Sequence, residues 1–411
     1  MAQIAPFKAI RPAREQAEII AALPYDVYSR KEAYEQVKKE PNSFLAIDRP
    51  ETQFAEDVDM YSSEVYAKAH DMLWDWVKQG RFIQDEQPMY YVYELVMDGR
   101  SQTGIVACAS IDDYANGVIK KHENTRAEKE ADRINHVDTC NAQTGPIFLA
   151  YRSEPSIKGV VEKTKTRTPL YDFTAADGIT HRCWAIDDMT SIALLATTFG
   201  QMDNIYIADG HHRAASAVKV GFKRREENPG FTGKEDFNYF LSVLFPDDEL
   251  KIYDYNRVVK ELNNMAAEEL LTELENIVDI IETSEKPIRP NSKGQWSMLL
   301  EDTWYLCQVK SELLSDDPVE GLDVSLLQNL VLEPLFGIED PKTDNRIDFV
   351  GGIRGLEELE KRCKTDCKVA FAMYPTSISE LFDVADAGLL MPPKSTWFEP
   401  KLRSGLFIHQ I

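Results

Sequence analysis

The stretch Ile207-Ala208-Asp209-Gly210-His211-His212-Arg213-Ala214 decides how this chain folds. The apolar run Asn204–Ala208 predicts a short buried strand, and Ala214–Val220 predicts a helix that ends at Gly221. A strand that passes through a glycine turn into a helix leaves the first N–H groups of that helix unpaired, so an anion binds well there. The stretch therefore predicts an α/β fold with an anion site at Gly210.

The side chains of this turn fit the same interpretation. His211 and His212 can donate hydrogen bonds, and Arg213 offers two parallel donors to a phosphate or carboxylate. The alternative is a capped helix with a surface histidine and a paired arginine, which we consider the weaker explanation. We do not expect the two histidines alone to bind a metal, because adjacent side chains on a helix diverge and the His-x-x-x-His spacing is absent.

A second polar block runs Lys121-His122-Glu123-Asn124-Thr125-Arg126. It leads into a charged helix expected to begin near Asn124 or Thr125 and to continue through Val137. Carboxylate and amide oxygens suit Mg²⁺, so Glu123 and Asn124 are candidate metal ligands. His122 is a candidate for nucleotide binding and Arg126 for neutralising a phosphoryl group. The alternative is a solvated helix face with ion pairs.

Weaker candidates lie near both ends of the chain. In Leu23-Pro24-Tyr25-Asp26-Val27, Asp26 is either a catalytic acid–base group or a simple helix cap. Lys394-Ser395-Thr396 follows two prolines, which hold the segment extended, so Lys394 and Thr396 are candidates for a phosphate contact. Cys363 and Cys367 are expected to be free thiols, since no second Cys/His pair lies nearby.

The rest of the chain predicts alternating helices and strands. Asp98-Gly99 and Asp177-Gly178 are hairpin turns, and apolar residues at helical spacing between Tyr61 and Val77 indicate a helix. We expect a mixed α+β protein with three parts: an N-terminal α/β segment at 1–85, a phosphate-binding core at 86–255 and a C-terminal α/β subdomain at 256–411. In the last part, helices are expected over Met265–Ile281 and Asp323–Leu335.

Composition excludes several classes of protein. Lys plus Arg is 46 against 69 for Asp plus Glu, a net charge of −23, which argues against binding to duplex nucleic acid. No apolar run approaches the roughly 18 residues of a membrane helix. Six scattered cysteines and the lack of a secretory apolar region predict a cytoplasmic protein. The chain also lacks the common phosphate-loop, dinucleotide and protein-kinase signatures. A homodimer is compatible with the sequence.

Five motifs resemble a known family. They are Ala5–Pro12, Leu23–Val27, His122–Arg126, Asp209–Arg213 and Met391–Lys401, and they stand in the order found in the bacterial and archaeal domain-of-unknown-function family 1015. The resemblance extends over essentially the whole chain. It implies little about activity.

A second resemblance adds chemistry. Asp209–Arg213 is similar to the Gly-x-x-Arg phosphate-binding turn of the ParB/sulfiredoxin superfamily, and Glu123–Arg126 is similar to its Glu-Asn-x-x-Arg block, one residue shorter. That block follows the turn in ParB-like proteins and precedes it here, which implies a permuted or inserted version of the ParB/sulfiredoxin-like mixed-sheet core. The superfamily includes nucleotide hydrolases and kinases of free serine, so the resemblance implies phosphoryl transfer between a nucleotide and serine or O-phosphoserine.

Two hypotheses follow from the sequence. The first is a phosphotransferase that uses ATP or ADP with Mg²⁺, in which Gly210, His211, His212 and Arg213 bind the nucleotide phosphates, and in which Asp26 or Asp209 is the general base. The second is a regulatory protein that binds nucleotide without converting a metabolite. Nuclease action is disfavoured by the net charge of −23.

Overall fold

The computed structural model describes all 411 residues and divides the chain into two compact units. The first unit comprises Met1–Leu250 and Pro400–Ile411, and the second comprises Lys251–Glu399. Residues 1–85 and most of the expected core segment share the first unit, which also includes the end of the expected C-terminal subdomain.

The strands and helices, numbered in chain order, are distributed along the whole sequence. The strands are β1 (Ile4–Ala5), β2 (Ile10–Pro12), β3 (Phe82–Gln84), β4 (Tyr90–Met97), β5 (Arg100–Ser110), β6 (Ile119–Lys120), β7 (Ala142–Gln143), β8 (Ile147–Tyr151), β9 (Tyr171–Thr174), β10 (Thr180–Ile186), β11 (Ile205–Asp209), β12 (Tyr239–Pro246), β13 (Ile252–Tyr253), β14 (Tyr255–Val259), β15 (Val278–Ser284), β16 (Gln295–Leu300), β17 (Thr303–Val309), β18 (Ile347–Gly351), β19 (Val369–Met373), β20 (Trp397–Phe398) and β21 (His409–Gln410). The helices are α1 (Ala17–Ile20), α2 (Arg30–Lys39), α3 (Leu45–Asp48), α4 (Ser63–Lys78), α5 (Ile111–Ala115), α6 (Ala127–Cys140), α7 (Pro155–Lys165), α8 (Met189–Phe199), α9 (His211–Glu227), α10 (Ala267–Leu274), α11 (Asp323–Leu327), α12 (Glu357–Thr365) and α13 (Ile378–Asp386). None of these helices combines the length and apolarity that crossing a bilayer requires.

A nine-stranded mixed sheet forms the centre of the first unit, which confirms the predicted mixed α/β fold. Its order is β6-β11-β8-β12-β5-β4-β10-β9, and β1 also pairs with β5. The pairs β8–β12 and β6–β11 are parallel, whereas the other neighbours are antiparallel. Buried side chains of β8, β11, β12 and α9 contribute to one apolar core, so the end of β11 is held firmly where α9 begins.

Both predicted hairpin turns are confirmed. Asp98 and Gly99 have φ values of 52° and 76°, the left-handed pair that a two-residue turn between β4 and β5 requires. Asp177-Gly178 joins β9 to β10, and the Asp177 carboxylate accepts a hydrogen bond from the Ile179 N–H. The predicted helix between Tyr61 and Val77 is α4.

The second unit contains a six-stranded antiparallel sheet in the order β15-β17-β16-β19-β14-β18. The predicted helix Met265–Ile281 is wrong in its second half: α10 ends at Leu274, and Val278–Ser284 is β15, because pairing with β17 overrides the local helical preference. The predicted helix Asp323–Leu335 is α-helical only to Leu327, and it continues as a π-helical turn over Gln328–Leu332.

Candidate phosphate-binding site

The turn predicted to bind an anion has the geometry that requires glycine. Gly210 has a φ of 92° and is the N-cap of α9, a helix of 17 residues. A Cβ at Gly210 would lie 3.2 Å from the Arg213 guanidinium carbon, so a side chain there would strain the left-handed backbone and would require Arg213 to move. The first-turn N–H groups of α9 therefore begin directly after a bare backbone turn.

Asp209, the last residue of β11, stabilises this turn. One of its carboxylate oxygens accepts a hydrogen bond from the Gly210 N–H at 2.7 Å, and the other accepts one from Lys401 Nζ at 3.1 Å. Burial opposes ionisation, but Lys401 and Arg213 outweigh it and hold the pKa of Asp209 below its usual value. The carboxylate is thus a stable anion that fixes Lys401 beside the turn.

Two buried histidines meet at the start of α9. The rings of His122 and His211 are 4.5 Å apart and perpendicular, and both side chains are about nineteen-twentieths buried or more. Burial lowers the pKa of His122 to about 4 and lowers that of His211 well below its usual value, so both rings are uncharged at neutral pH. His122 Nδ1 and His211 Nε2 are buried and have no hydrogen-bond partner, which is costly unless a ligand supplies one.

The proton positions on His122 follow from its other contact. Its ring is hydrogen-bonded to the Ile207 backbone, and since Nδ1 has no partner this bond is made by Nε2, which donates to the carbonyl. In an uncharged ring Nδ1 then carries a lone pair. It can accept a hydrogen bond from a hydroxyl or amino group but cannot donate one to a phosphate oxygen.

Arg213 lies between two glycines. Its Nη1 donates to the Pro146 carbonyl at 2.6 Å, and a Cβ at Gly145 would lie 3.7 Å from that same nitrogen. Arg213 Nε is buried without a partner. The guanidinium is therefore held in place while part of its donor capacity remains unused.

His212 and Arg126 have structural contacts in addition to their predicted roles. His212 Nε2 accepts a hydrogen bond at 2.9 Å from the backbone N–H of Arg126, which is the N-cap of α6. This bond ties the loop 121–126 to α9. The Arg126 side chain itself is exposed.

Glu123 and Asn124, the predicted metal ligands, lie in this loop. Glu123 Oε2 is 3.9 Å from His211 Nδ1, and Asn124 is exposed. No group of three or more His, Cys, Asp or Glu residues forms a metal-binding cluster. Mg²⁺ needs few protein ligands, since it keeps several waters and takes other ligands from substrate phosphates.

Most of this chain matches one protein-family model. The model of a family described as "Protein of unknown function (DUF1015)" matches residues 4–325. This chain belongs to the DUF1015 family. The match includes four of the five motifs noted above and ends before Met391–Lys401. No curated protein matches the chain in sequence.

Solved structures similar to this DUF1015 member are distant. A mutant free serine kinase in complex with ADP is 14% identical and has a TM-score of 0.37; the match covers 74% of this chain and 92% of that one. A free serine kinase in complex with AMP is 15% identical, with 74% and 91% covered and a TM-score of 0.37. SbnI from Staphylococcus aureus, truncated at its C-terminus, is 11% identical, with 74% and 86% covered and a TM-score of 0.40.

The Leu23–Val27 motif of this DUF1015 member lies close to the start of α9. The Tyr25 ring packs against the guanidinium of Arg133 at 4.1 Å, and Tyr25, Arg133 and Arg213 line one small cavity. Asp26 is exposed, and its charge acts on His212. Asp26 is not a helix cap for α2, because Ser29 forms the capping box of that helix with Glu32.

Lys394 and Thr396 belong to the second unit. Lys394 has a φ of 61°, and its Nζ lies 5.5 Å from the centre of the Tyr255 ring. Its carbonyl accepts a hydrogen bond from Arg257. Their predicted contact with a phosphate stays a prediction.

Lys401 is the site residue that the sequence did not reveal. It follows Asp209 by 192 positions in the chain and has no motif spacing to the turn. Its side chain lies beside Gly210 because residues Pro400–Ile411 return to the first unit, where β21 pairs with β7. The ending Met391–Lys401 did contain the signal, in its last residue.

Proposed function

We propose that this protein is a nucleotide-dependent phosphotransferase acting on a small metabolite, with its nucleotide bound at the start of α9. The observation that carries the proposal is the pair of buried, uncharged histidines with unpartnered ring nitrogens at that helix N-terminus. Orphaned buried nitrogens next to two cations, Arg213 and Lys401, fit a ligand that has both hydroxyl or amino donors and anionic oxygens. A nucleotide has both.

The roles divide according to hydrogen-bonding capacity. The first-turn N–H groups of α9, Arg213 and Lys401 donate, so they suit phosphate oxygens. His122 Nδ1 accepts, so it suits a ribose hydroxyl or a base amino group rather than a phosphate. The role expected for His122 in nucleotide binding is therefore contact with the ribose or the base rather than with the phosphates.

Asp26 is the better of the two general-base candidates. Both carboxylate oxygens of Asp209 already accept hydrogen bonds, and its lowered pKa makes it a weak proton acceptor. The Asp26 side chain is exposed and makes no hydrogen bond within the protein, and its charge reaches His212. In the proposed reaction it takes the proton of the metabolite hydroxyl as the oxygen–phosphorus bond forms and the nucleotide leaves, or returns that proton in the reverse direction.

Glu123 and Asn124 would hold Mg²⁺, and Arg126 would neutralise the transferring phosphoryl group. When bound, the ion would offset charge on the phosphate oxygens. Serine or O-phosphoserine is the proposed metabolite, on the strength of the similarity to the Gly-x-x-Arg turn described above.

The first experiment incubates purified protein with Mg²⁺ and O-phosphoserine, with and without ADP, and measures both ATP and inorganic phosphate. ATP that forms only when both substrates are present supports the proposal. Phosphate release without ADP would instead indicate a phosphatase. If neither product forms while ADP still binds, the regulatory alternative replaces the phosphotransferase.

A variant separates the metal-binding role from folding. Glu123→Gln should abolish turnover with little change in melting temperature, because the carboxylate is at the surface, with 45% of its side chain exposed. Glu128→Gln, an exposed glutamate in the first turn of α6, is the matched control and should keep full activity. Full activity in Glu123→Gln would remove Glu123 from the metal site.

A further inference from the structure

A second cleft lies in the first unit, lined by residues that the proposed reaction does not use. Its walls include Ala22, Tyr28, Lys39, Asp177 and Arg403. The cleft has a volume of about 660 Å³. Small-molecule sites typically occupy roughly 300–1,000 Å³, so this cleft has room for a metabolite.

Arg403 gives the cleft a binding group. Its side chain is only 4% exposed, its Nε donates to His181 Nε2 at 3.2 Å, and its Nη2 donates to the Asp177 carboxylate. Its Nη1 makes no hydrogen bond within the protein and is not among the fully buried, unpartnered atoms. Since Arg403 lines the cleft, Nη1 is the donor left for a ligand there.

The partners of Arg403 fix the direction of this donor. Arginine can only donate, so His181 Nε2 must be the unprotonated nitrogen, and His181 Nδ1 donates to the Tyr93 hydroxyl at 2.9 Å. His181 is fully buried, and burial lowers its pKa to about 3, so this arrangement persists at neutral pH. A guanidinium held on two sides pays little further ordering entropy when it binds a ligand.

We propose that this cleft binds a small carboxylate-bearing metabolite, with the carboxylate on Arg403 Nη1. Asp177 already offsets most of the guanidinium charge, so a single negative charge fits better than the two of a phosphate. Lys39 and the Tyr28 hydroxyl, on the same cleft, supply a second cation and a second donor. Alanine side chains at 21, 22, 175 and 176 leave space for the rest of the ligand.

The carboxylate could belong to an amino acid or to a plain organic acid, because Glu18 and Glu40 also line the cleft and could face an ammonium group. Thermal shift of the full-length protein, followed by calorimetry, distinguishes these sources. One arm uses the twenty standard amino acids and the other uses acetate, propionate, lactate and succinate. Inorganic phosphate and ethanolamine are the controls for a different anion and for a cation alone.

At least one carboxylate in either arm should raise the melting temperature and bind saturably. Ethanolamine and phosphate should not bind in this cleft. Tyr28→Phe and Lys39→Gln should each weaken that binding by about fivefold or more. Lys38→Gln is the matched control, since the neighbouring lysine of α2 does not line the cleft. Arg403→Lys should abolish binding if the variant folds; the first two variants test the cleft if it does not.

Failure here is distinguishable from failure of the proposed function. Arg213→Ala should leave carboxylate binding intact, and Lys39→Gln should leave ADP binding intact, because the two sets of residues share no member. If no carboxylate binds, or if Tyr28→Phe and Lys39→Gln bind like the control, the cleft is not a carboxylate site.

Discussion

The two units of this chain differ in which buried titratable groups have the largest pKa shifts. All seven histidines lie in the first unit, and the pKa is lowered for six of them, namely His122, His136, His181, His211, His212 and His409. The second unit has no histidine, and burial raises the pKa of its Asp323 to about 7. When the pH falls, protonation of these buried histidines destabilises the first unit, whereas protonation of Asp323 stabilises the second unit.

Three arginines differ in how fully the protein uses their hydrogen-bond donors. Arg257 in the second unit is 3% exposed and donates to the carbonyls of Tyr255 and Lys394. Arg213 in the first unit leaves its Nε unpartnered, and Arg403 leaves its Nη1 unused. Arg257, which bonds to backbone on both sides, holds a loop to a strand. Arg213 and Arg403 each line a cavity and keep a nitrogen that no group of the protein accepts, so both are candidates for ligand binding.

The largest expected effect is an opposite response of the two units to acid. A histidine whose folded pKa is lowered binds fewer protons when folded, so stability is present above the unfolded value of about 6.5 and is lost as the pH falls. His122 and His181 should each cost about 3 kcal/mol between pH 6.5 and 4. Asp323, with its raised pKa, should instead stabilise the second unit by about 3 kcal/mol over the same fall.

Hydrogen exchange followed by mass spectrometry at pH 7, 5.5 and 4, corrected for intrinsic rates, measures both units at once. Protection should fall in β8, β11 and α9 and hold or rise in β16 and β19. Asp323→Asn is the control that should remove the rise. Equal loss of protection in both units would contradict the contrast.

The next largest effect is on nucleotide binding. Arg213→Ala should weaken ADP binding by about 1.5–3 kcal/mol, the usual range for a lost charge-assisted hydrogen bond. Calorimetry gives the change directly, and the melting temperature should no longer rise with ADP. Arg354→Ala in the second unit, which removes an exposed arginine, should change neither quantity. Unchanged ADP affinity in Arg213→Ala would move the nucleotide away from this turn.

A pair of glycine variants sharpens the comparison further. Gly210→Ala places a side chain at a φ of 92° and against Arg213, whereas Gly388→Ala meets a φ of 69° with no atom within 4 Å. Left-handed backbone alone costs about 1–2 kcal/mol, so Gly388→Ala measures that strain in the second unit. Gly210→Ala should lower the free energy of unfolding by more, and only it should also weaken ADP binding. Equal losses of stability would mean that Arg213 moves aside freely.

The smallest effect is expected at Lys401. Lys401→Met removes the cation that lowers the pKa of Asp209 while keeping most of the side-chain volume. ADP binding should weaken by about 1 kcal/mol, and the melting temperature should also fall, because the largely buried Asp209 carboxylate loses a cationic partner. Lys251→Met, the exposed lysine at the start of the second unit, should leave ADP binding unchanged. Wild-type affinity in Lys401→Met would assign Lys401 to structure alone.

Local chemistry made part of this molecule predictable. Glycine at Gly99 and Gly210 marks the two turns because only a residue without a side chain adopts their backbone easily. The strand Ile205–Asp209 could be read from its apolar run. The β15 strand could not, because its partner β17 is not visible from its own residues.

The site was predictable to the extent that it is local. His211, His212 and Arg213 are consecutive, so the sequence shows that they share the turn. The uncharged state of His211 depends on its burial, and the hydrogen bond from the Arg126 N–H to His212 depends on the tertiary fold. Lys401 was missed because tertiary folding, not spacing, brings it to Asp209. Sequence patterns identify which groups a turn contains; they do not show which group arrives from the far end of the chain.

The return of Pro400–Ile411 to the first unit has a consequence for synthesis on the ribosome. The ribosome translates Lys401, Arg403 and β21 after the whole second unit. The nascent first unit therefore lacks the lysine that bonds to Asp209, the arginine of the proposed carboxylate cleft and the strand that pairs with β7. The second unit, in contrast, is contiguous in the chain and can fold as it emerges. Neither candidate site is then complete until Lys401 and Arg403, which follow the whole second unit in the chain, have left the exit tunnel.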